Sequence, residues 1–189
     1  MGSGLVFDPI VLLRVTPLVS STCTLLHGGE QDFFLGLLNR SPESRARSRA
    51  LLPGYFDAFF RRGVGFVVGC LAVTTWSSVA NLYFYSSSSS NGHRPVAAAV
   101  AGRRWYIAGA VLSAAHLLFV PLVAPPIKAI IDADKDKDKD KDKDKGEHAD
   151  DDPNATLDTW LRINRIRTLT VDLAAWIASV GAVVSSLAA

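Results

Sequence analysis

Apolar residues in this chain gather into long uncharged runs separated by polar stretches. Gly63–Tyr85 and Trp105–Ile127 are 23 residues each without a charge, and Thr168–Ala189 is 22 residues with one, Asp172. Each exceeds the roughly 20 residues that cross a ~30 Å hydrocarbon core. Phe7–Leu26 is a weaker fourth run that holds Asp8, Pro9, Arg14 and Pro17. A cleaved signal peptide competes for that stretch, but no basic segment precedes its apolar part, which favours a first helix. The pattern predicts an all-α, integral membrane four-helix bundle, one domain over residues 1–189 with spans at about 7–26, 63–85, 105–127 and 168–188.

Aromatic residues stand near the expected span ends: Tyr83, Phe84 and Tyr85, then Trp105 and Tyr106, then Trp160. That is the placement of a membrane-interface belt. Four spans put residues 27–62 and 128–167 on one side of the bilayer. Arginines concentrate there (Arg40, Arg45, Arg47, Arg49, Arg61, Arg62, Arg162, Arg165, Arg167), so the positive-inside rule predicts both loops in the cytosol. The sequons at Asn39 and Asn154 lie on the same loops and would argue for the lumen if occupied. An endomembrane such as the endoplasmic reticulum is the expected location.

Mean hydropathy is +0.21 although residues 132–152 hold 17 of the 38 charged side chains. That insert, with strict Asp-Lys alternation over Asp134–Lys145, has nothing apolar to bury and is expected to be a disordered spacer. Ser86–Ser90 is a second low-complexity patch. The remaining arginines flank apolar runs instead of lining one face, which excludes a nucleic-acid binder. Two cysteines, Cys23 and Cys70, lie inside apolar runs and do not make a disulfide scaffold. Four scattered histidines without a CxxC pair do not make a zinc site, and no metal is expected.

Helices in lipid pack on small residues. Gly65-xxx-Gly69, Gly109-xxx-Ser113 and the series Ala174, Ala178, Ala182, Ser186 are the expected contact strips. Pro121, Pro125 and Pro126 should break the third helix near its C-terminal end. Leu51–Arg62 reads as a separate helix in the interface or capping the bundle.

Ionisable groups inside a span are costly and are therefore candidates for function. His116, near the middle of the third span, shares a face with Gly109 and Ser113 and is a candidate base; a bond to Thr74 or Thr75 is the structural alternative. Asp172 lies one turn inside the fourth span on a face with Thr168 and Ser179; its expected cation is Arg165 or Arg167. The two differ in expected depth by about 10 Å, so they are not expected to touch. Arg14 is expected to anchor the first span and to meet Asn81; Glu30 and Asp32 read as solvated loop acids. Asn164 and Arg167, three apart on one helical face, offer an amide and a guanidinium suited to an oxyanion.

The segment Trp160-x3-Asn164-x2-Arg167 resembles the W-x3-N/H-x2-R signature of a four-helix membrane family known as domain of unknown function 1772, which includes fungal anthrone oxygenases of polyketide pathways. Trp105 opening the third span fits that pattern, as does Pro121-Leu122-Val123 followed by Pro125-Pro126-Ile127-Lys128. Val123, Pro126 and Ile127 stand where the family commonly has threonine and asparagine. The resemblance implies cofactor-independent oxygenation of an aromatic polyketide by O2, an anthrone becoming an anthraquinone. His116 or Asp172 would be the base, Asn164 and Arg167 the oxyanion donors, and Trp160, Thr74 and Trp105 the substrate contacts. The competing expectation is a non-catalytic membrane scaffold or claudin-like interaction protein.

Overall fold

The computed structural model describes residues 8–89, 96–139 and 152–187. Among them the fold is all-α: α1 (Pro9–Leu38), α2 (Pro42–Ser48), α3 (Leu52–Ser89), α4 (Val96–Ala115), α5 (Val120–Lys139), α6 (Pro153–Arg167) and α7 (Leu173–Leu187). A 3₁₀ turn, His116–Phe119, joins α4 to α5, and a π-helical turn, Thr168–Asp172, joins α6 to α7. Four helical stretches are long and apolar enough to cross a membrane: Pro9–Leu38, Leu52–Phe84, Gly102–Ala133 and Pro153–Ser186. The chain is a multi-pass integral membrane protein.

These stretches are longer than the uncharged runs. Leu51–Arg62 is not a separate interfacial helix, because Leu52–Arg62 forms the first turns of α3. The fourth stretch starts at Pro153, where the Asp152 side chain accepts from Asn154 N–H and proline occupies the first helical turn. The break in the third stretch falls at His116–Phe119, while Pro125 and Pro126 lie inside α5. Pro121 explains this: its ring crowds the carbonyl four residues earlier, at Leu117, and it has no N–H to donate. Helix α5 continues to Lys139, into the Asp-Lys run; residues 140–151 of the insert lie outside the described residues.

The described chain divides into two compact units. The first comprises residues through Leu26, Val67–Leu117 and Leu169–Ala189. Here α4 packs along α7. Ala175, Ala178 and Ala182 are buried, and Gly181 lies so close to the Trp105 ring that a Cβ there would come 2.6 Å from Cδ2. Buried Tyr106 donates to Arg14 O (3.3 Å). Arg14 reaches Ser186 O (3.4 Å), whereas Asn81 donates to Leu13 O (2.9 Å) and so does not meet the Arg14 side chain. The core of this unit is unusually polar: Ser20, Ser21, Thr24, Thr74, Ser78, Ser113 and Ser179 are all buried. Several hydroxyls are satisfied on carbonyls a turn back, as in Ser179 to Ala175 O (2.9 Å), or across helices, as in Ser20 to Thr74 (2.7 Å), whereas Ser78 Oγ has no partner among the described residues.

The second unit comprises His27–Phe66 and Leu118–Thr168. Its core is apolar, with Leu35, Leu52, Phe56, Ile127, Ile130, Leu157, Trp160 and Leu161 in one cluster. Phe56 meets Trp160 edge-to-face at 5.3 Å. Asp32 is not a free loop acid: it lies on α1 and pairs with Arg165 at 3.0 Å. The strip Gly65-xxx-Gly69 is not used as expected, since a Cβ at either glycine would meet nothing within 4 Å.

Candidate functional site

The first unit brings His116 and Asp172 together. Nδ1 of His116 lies 2.7 Å from Oδ1 of Asp172, and the residues are 6% and 4% exposed. The sequence expectation that these residues sit at different depths is therefore wrong. It counted depth from Thr168, but the helical stretch begins at Pro153, which moves Asp172 from the mouth to near the middle. His116 is near the middle of Gly102–Ala133. The π turn ending at Asp172 adds to this, because its wider turn shifts the face on which the following side chain projects.

A carboxylate against one imidazole nitrogen fixes the tautomer. Nδ1–H donates to Asp172, and the proton-accepting lone pair is left on Nε2. Nε2 makes no hydrogen bond among the described residues. Asp172 meets His116 of the 3₁₀ turn that follows α4, while Arg165 binds Asp32 and Arg167 donates to Asn164. Ser21, Thr24, Leu71, Ser113 and Ala175 line a cavity of about 10 Å³ beside Asp172. That is at the lower limit for one water molecule. Ser113 was expected on the His116 face, whereas Ser21 and Thr24 were not singled out from sequence. The available signal for these two was spacing: Ser21 and Thr24 are three apart on a helix and share a face.

The remaining expected site residues lie elsewhere. Thr74 is fully buried but pairs with Ser20 and donates to Cys70 O (3.0 Å), not to His116. Trp105 is 40% exposed and rests on Gly181. In the second unit Arg167 Nη2 donates to Asn164 Oδ1 (2.7 Å), and Asn164 Nδ2 donates to Gly28 O (3.1 Å). One turn earlier, Trp160 is held in the apolar core, with its buried Nε1–H unpartnered among the described residues. Asn164 thus orients the guanidinium and ties α6 to α1. Among the described residues no three His, Cys, Asp or Glu side chains gather in one group.

No family model matches the chain, and no solved structure matches it. Among curated proteins it is 25% identical over 186 residues to Epoxidase pydX of an Acremonium species, across 97% of this chain and 99% of the relative. It is 27% identical over 177 residues to Epoxidase gkaX of Penicillium citrinum, across 93% and 95%. It is 24% identical over 180 residues to Probable epoxidase scpX of Mollisia scopiformis, across 94% and 98%.

Proposed function

We propose that the chain is a membrane-embedded oxygenase of secondary metabolism, acting on an apolar substrate with an acidic C–H or O–H and residing in an endomembrane such as the endoplasmic reticulum. The observation that carries this reading is the His116–Asp172 pair, a neutral base with its orienting carboxylate, buried near the middle of two apolar helices. Near-full-length similarity to three proteins named as epoxidases supports oxygen transfer as the reaction class.

In this reading His116 Nε2 takes the substrate proton and Asp172 stabilises the imidazolium. The resulting carbanion or enolate is electron-rich enough to be oxidised by O2, giving a peroxide at carbon. Two outcomes follow from that peroxide. On an anthrone it loses water to leave the quinone, one oxygen atom kept and one released. Beside an electron-poor carbon–carbon double bond, the peroxide anion adds its distal oxygen to one alkene carbon. The carbanion so formed closes the epoxide by displacing the O–O bond, and the departing alkoxide takes its proton back from the imidazolium. Both oxygen atoms then stay in the product. The names of the relatives favour the epoxide.

The test is oxygen uptake by the full chain in detergent with anthrones and with conjugated enols as substrates, using isotopically labelled O2. Uptake above the protein-free rate, lost in Asp172→Asn, supports the reading; two labelled atoms in the product identify the epoxide route and one the quinone route. No uptake over background across both substrate classes would move the non-catalytic scaffold ahead.

A further inference from the structure

A cavity of about 550 Å³ lies between α1 and the first half of α3, within the second unit. Its size falls in the ~300–1,000 Å³ range of small-molecule sites. Tyr55, Phe59 and Phe66 form aromatic walls. His27 stacks on Phe59 at 6.4 Å and meets Phe66 edge-on at 5.0 Å. Buried Gln31 fixes the imidazole by one nitrogen, its Nε2 lying 3.0 Å from His27 Nε2. Gly63 keeps the space open, since a Cβ there would come 3.3 Å from His27 Nε2. Glu30 and Arg62 complete the lining, and neither makes an ion pair among the described residues.

An apolar core would not need a charge of each sign on an aromatic-walled hollow. The arrangement suits a flat π-system with one polar edge. Rings offset-stack on Tyr55 and Phe59; a guanidinium meets an oxyanion, and a carboxylate accepts from an O–H. We infer that this cavity is a binding site for a planar, conjugated small molecule carrying an acidic oxygen, a phenol or an enol, with the aromatic walls taking its rings and Arg62 its oxygen. Binding here requires no turnover, so the inference stands apart from the oxygenase reading.

Equilibrium dialysis of the full chain in detergent tests it, with a dihydroxyanthraquinone as probe and the hydroxyl-free anthraquinone as control. The hydroxylated probe should bind more tightly. Arg62→Gln, on an exposed side chain that the fold does not need, should weaken the hydroxylated probe at least about tenfold and leave the control unchanged. Gly63→Leu should remove binding of both. Equal binding of the two probes, unaffected by either substitution, would show partition into micelle or lipid-facing surface and overturn the inference. Oxygen uptake without site-dependent probe binding sinks this inference and leaves the oxygenase reading standing; probe binding without uptake does the reverse.

Discussion

His116 and Asp172, 56 residues apart in sequence, share a 2.7 Å hydrogen bond near the middle of two apolar helices, and neither side chain is more than 7% exposed. Removing Asp172 leaves the buried His116 Nδ1–H without its acceptor, at a cost of about 1–3 kcal/mol. Asp172→Leu should therefore lower the unfolding free energy by that amount, and adding His116→Phe should recover part of it, since no imidazole N–H is then left unpaired. Asp172→Asn keeps the shape but not the acceptor that selects the tautomer, and should reduce oxygen uptake by about 10²–10⁴-fold. Denaturant unfolding in detergent and the uptake assay read the two effects separately. An Asp172→Asn protein with native turnover would remove the pair from the chemistry.

Gly28 marks a tight contact between α1 and the α6 end. A Cβ at Gly28 would lie 2.6 Å from Thr168 Oγ1 and 3.1 Å from Cγ2, so rotating the threonine only exchanges one clash for the other. Gly28→Ala should cost about 1–3 kcal/mol. Thr168 Oγ1 has no hydrogen-bond partner among the described residues, so Thr168→Ala by itself should cost little, and adding it to Gly28→Ala should restore stability. A double variant as unstable as Gly28→Ala would show that backbone shifts, not this side chain, set the cost.

The spans were legible because runs of 22 or 23 residues with at most one charge admit few other readings. Their ends were not, for a physical reason visible at Asp32, Asp57 and Arg61. Charges end a hydropathy window, but a helix continues wherever its backbone bonds can form, and here Asp57 and Arg61 pair four residues apart on α3 while Asp32 finds Arg165. The error in span length carried directly into the depth assigned to Asp172. Local spacing was more reliable: the three-residue offset of Asn164 and Arg167 did bring their side chains together. Nothing local encodes that Asp172 meets His116, or that His27, Arg62 and Phe66 share a cavity, because both depend on how helices far apart in sequence are set against each other.

The Arg165–Asp32 pair should matter far less than its geometry suggests. Two guanidinium nitrogens contact the carboxylate at 3.0–3.3 Å, but the side chains are 63% and 29% exposed. Such pairs are screened and contribute about 0–1 kcal/mol. Arg165→Ala should shift the unfolding free energy within that range. A loss several times larger would mean that the pair is shielded by lipid headgroups and not by water.

Asn39 and Asn154, the two sequon asparagines, are bonded to each other. Asn154 Nδ2 lies within hydrogen-bond distance of Asn39 Oδ1 (2.9 Å), Ser48 Oγ (3.0 Å) and Arg45 O (3.2 Å), and Asn39 Nδ2 donates to Asn154 O (2.6 Å). Asn154 is 1% exposed, so a glycan on its Nδ2 cannot coexist with this packing. The chain made in a eukaryotic host should show no mobility change on endoglycosidase treatment, in line with a cytosolic location for both loops. Asn154→Ala should destabilise the second unit by about 1–3 kcal/mol through the buried groups it leaves unpaired. Asn154→Asp should be no better, because a carboxylate has no N–H to offer the Arg45 carbonyl and brings a charge into a buried position. A glycan at either site would place these loops in the lumen and reverse the orientation of all four spans.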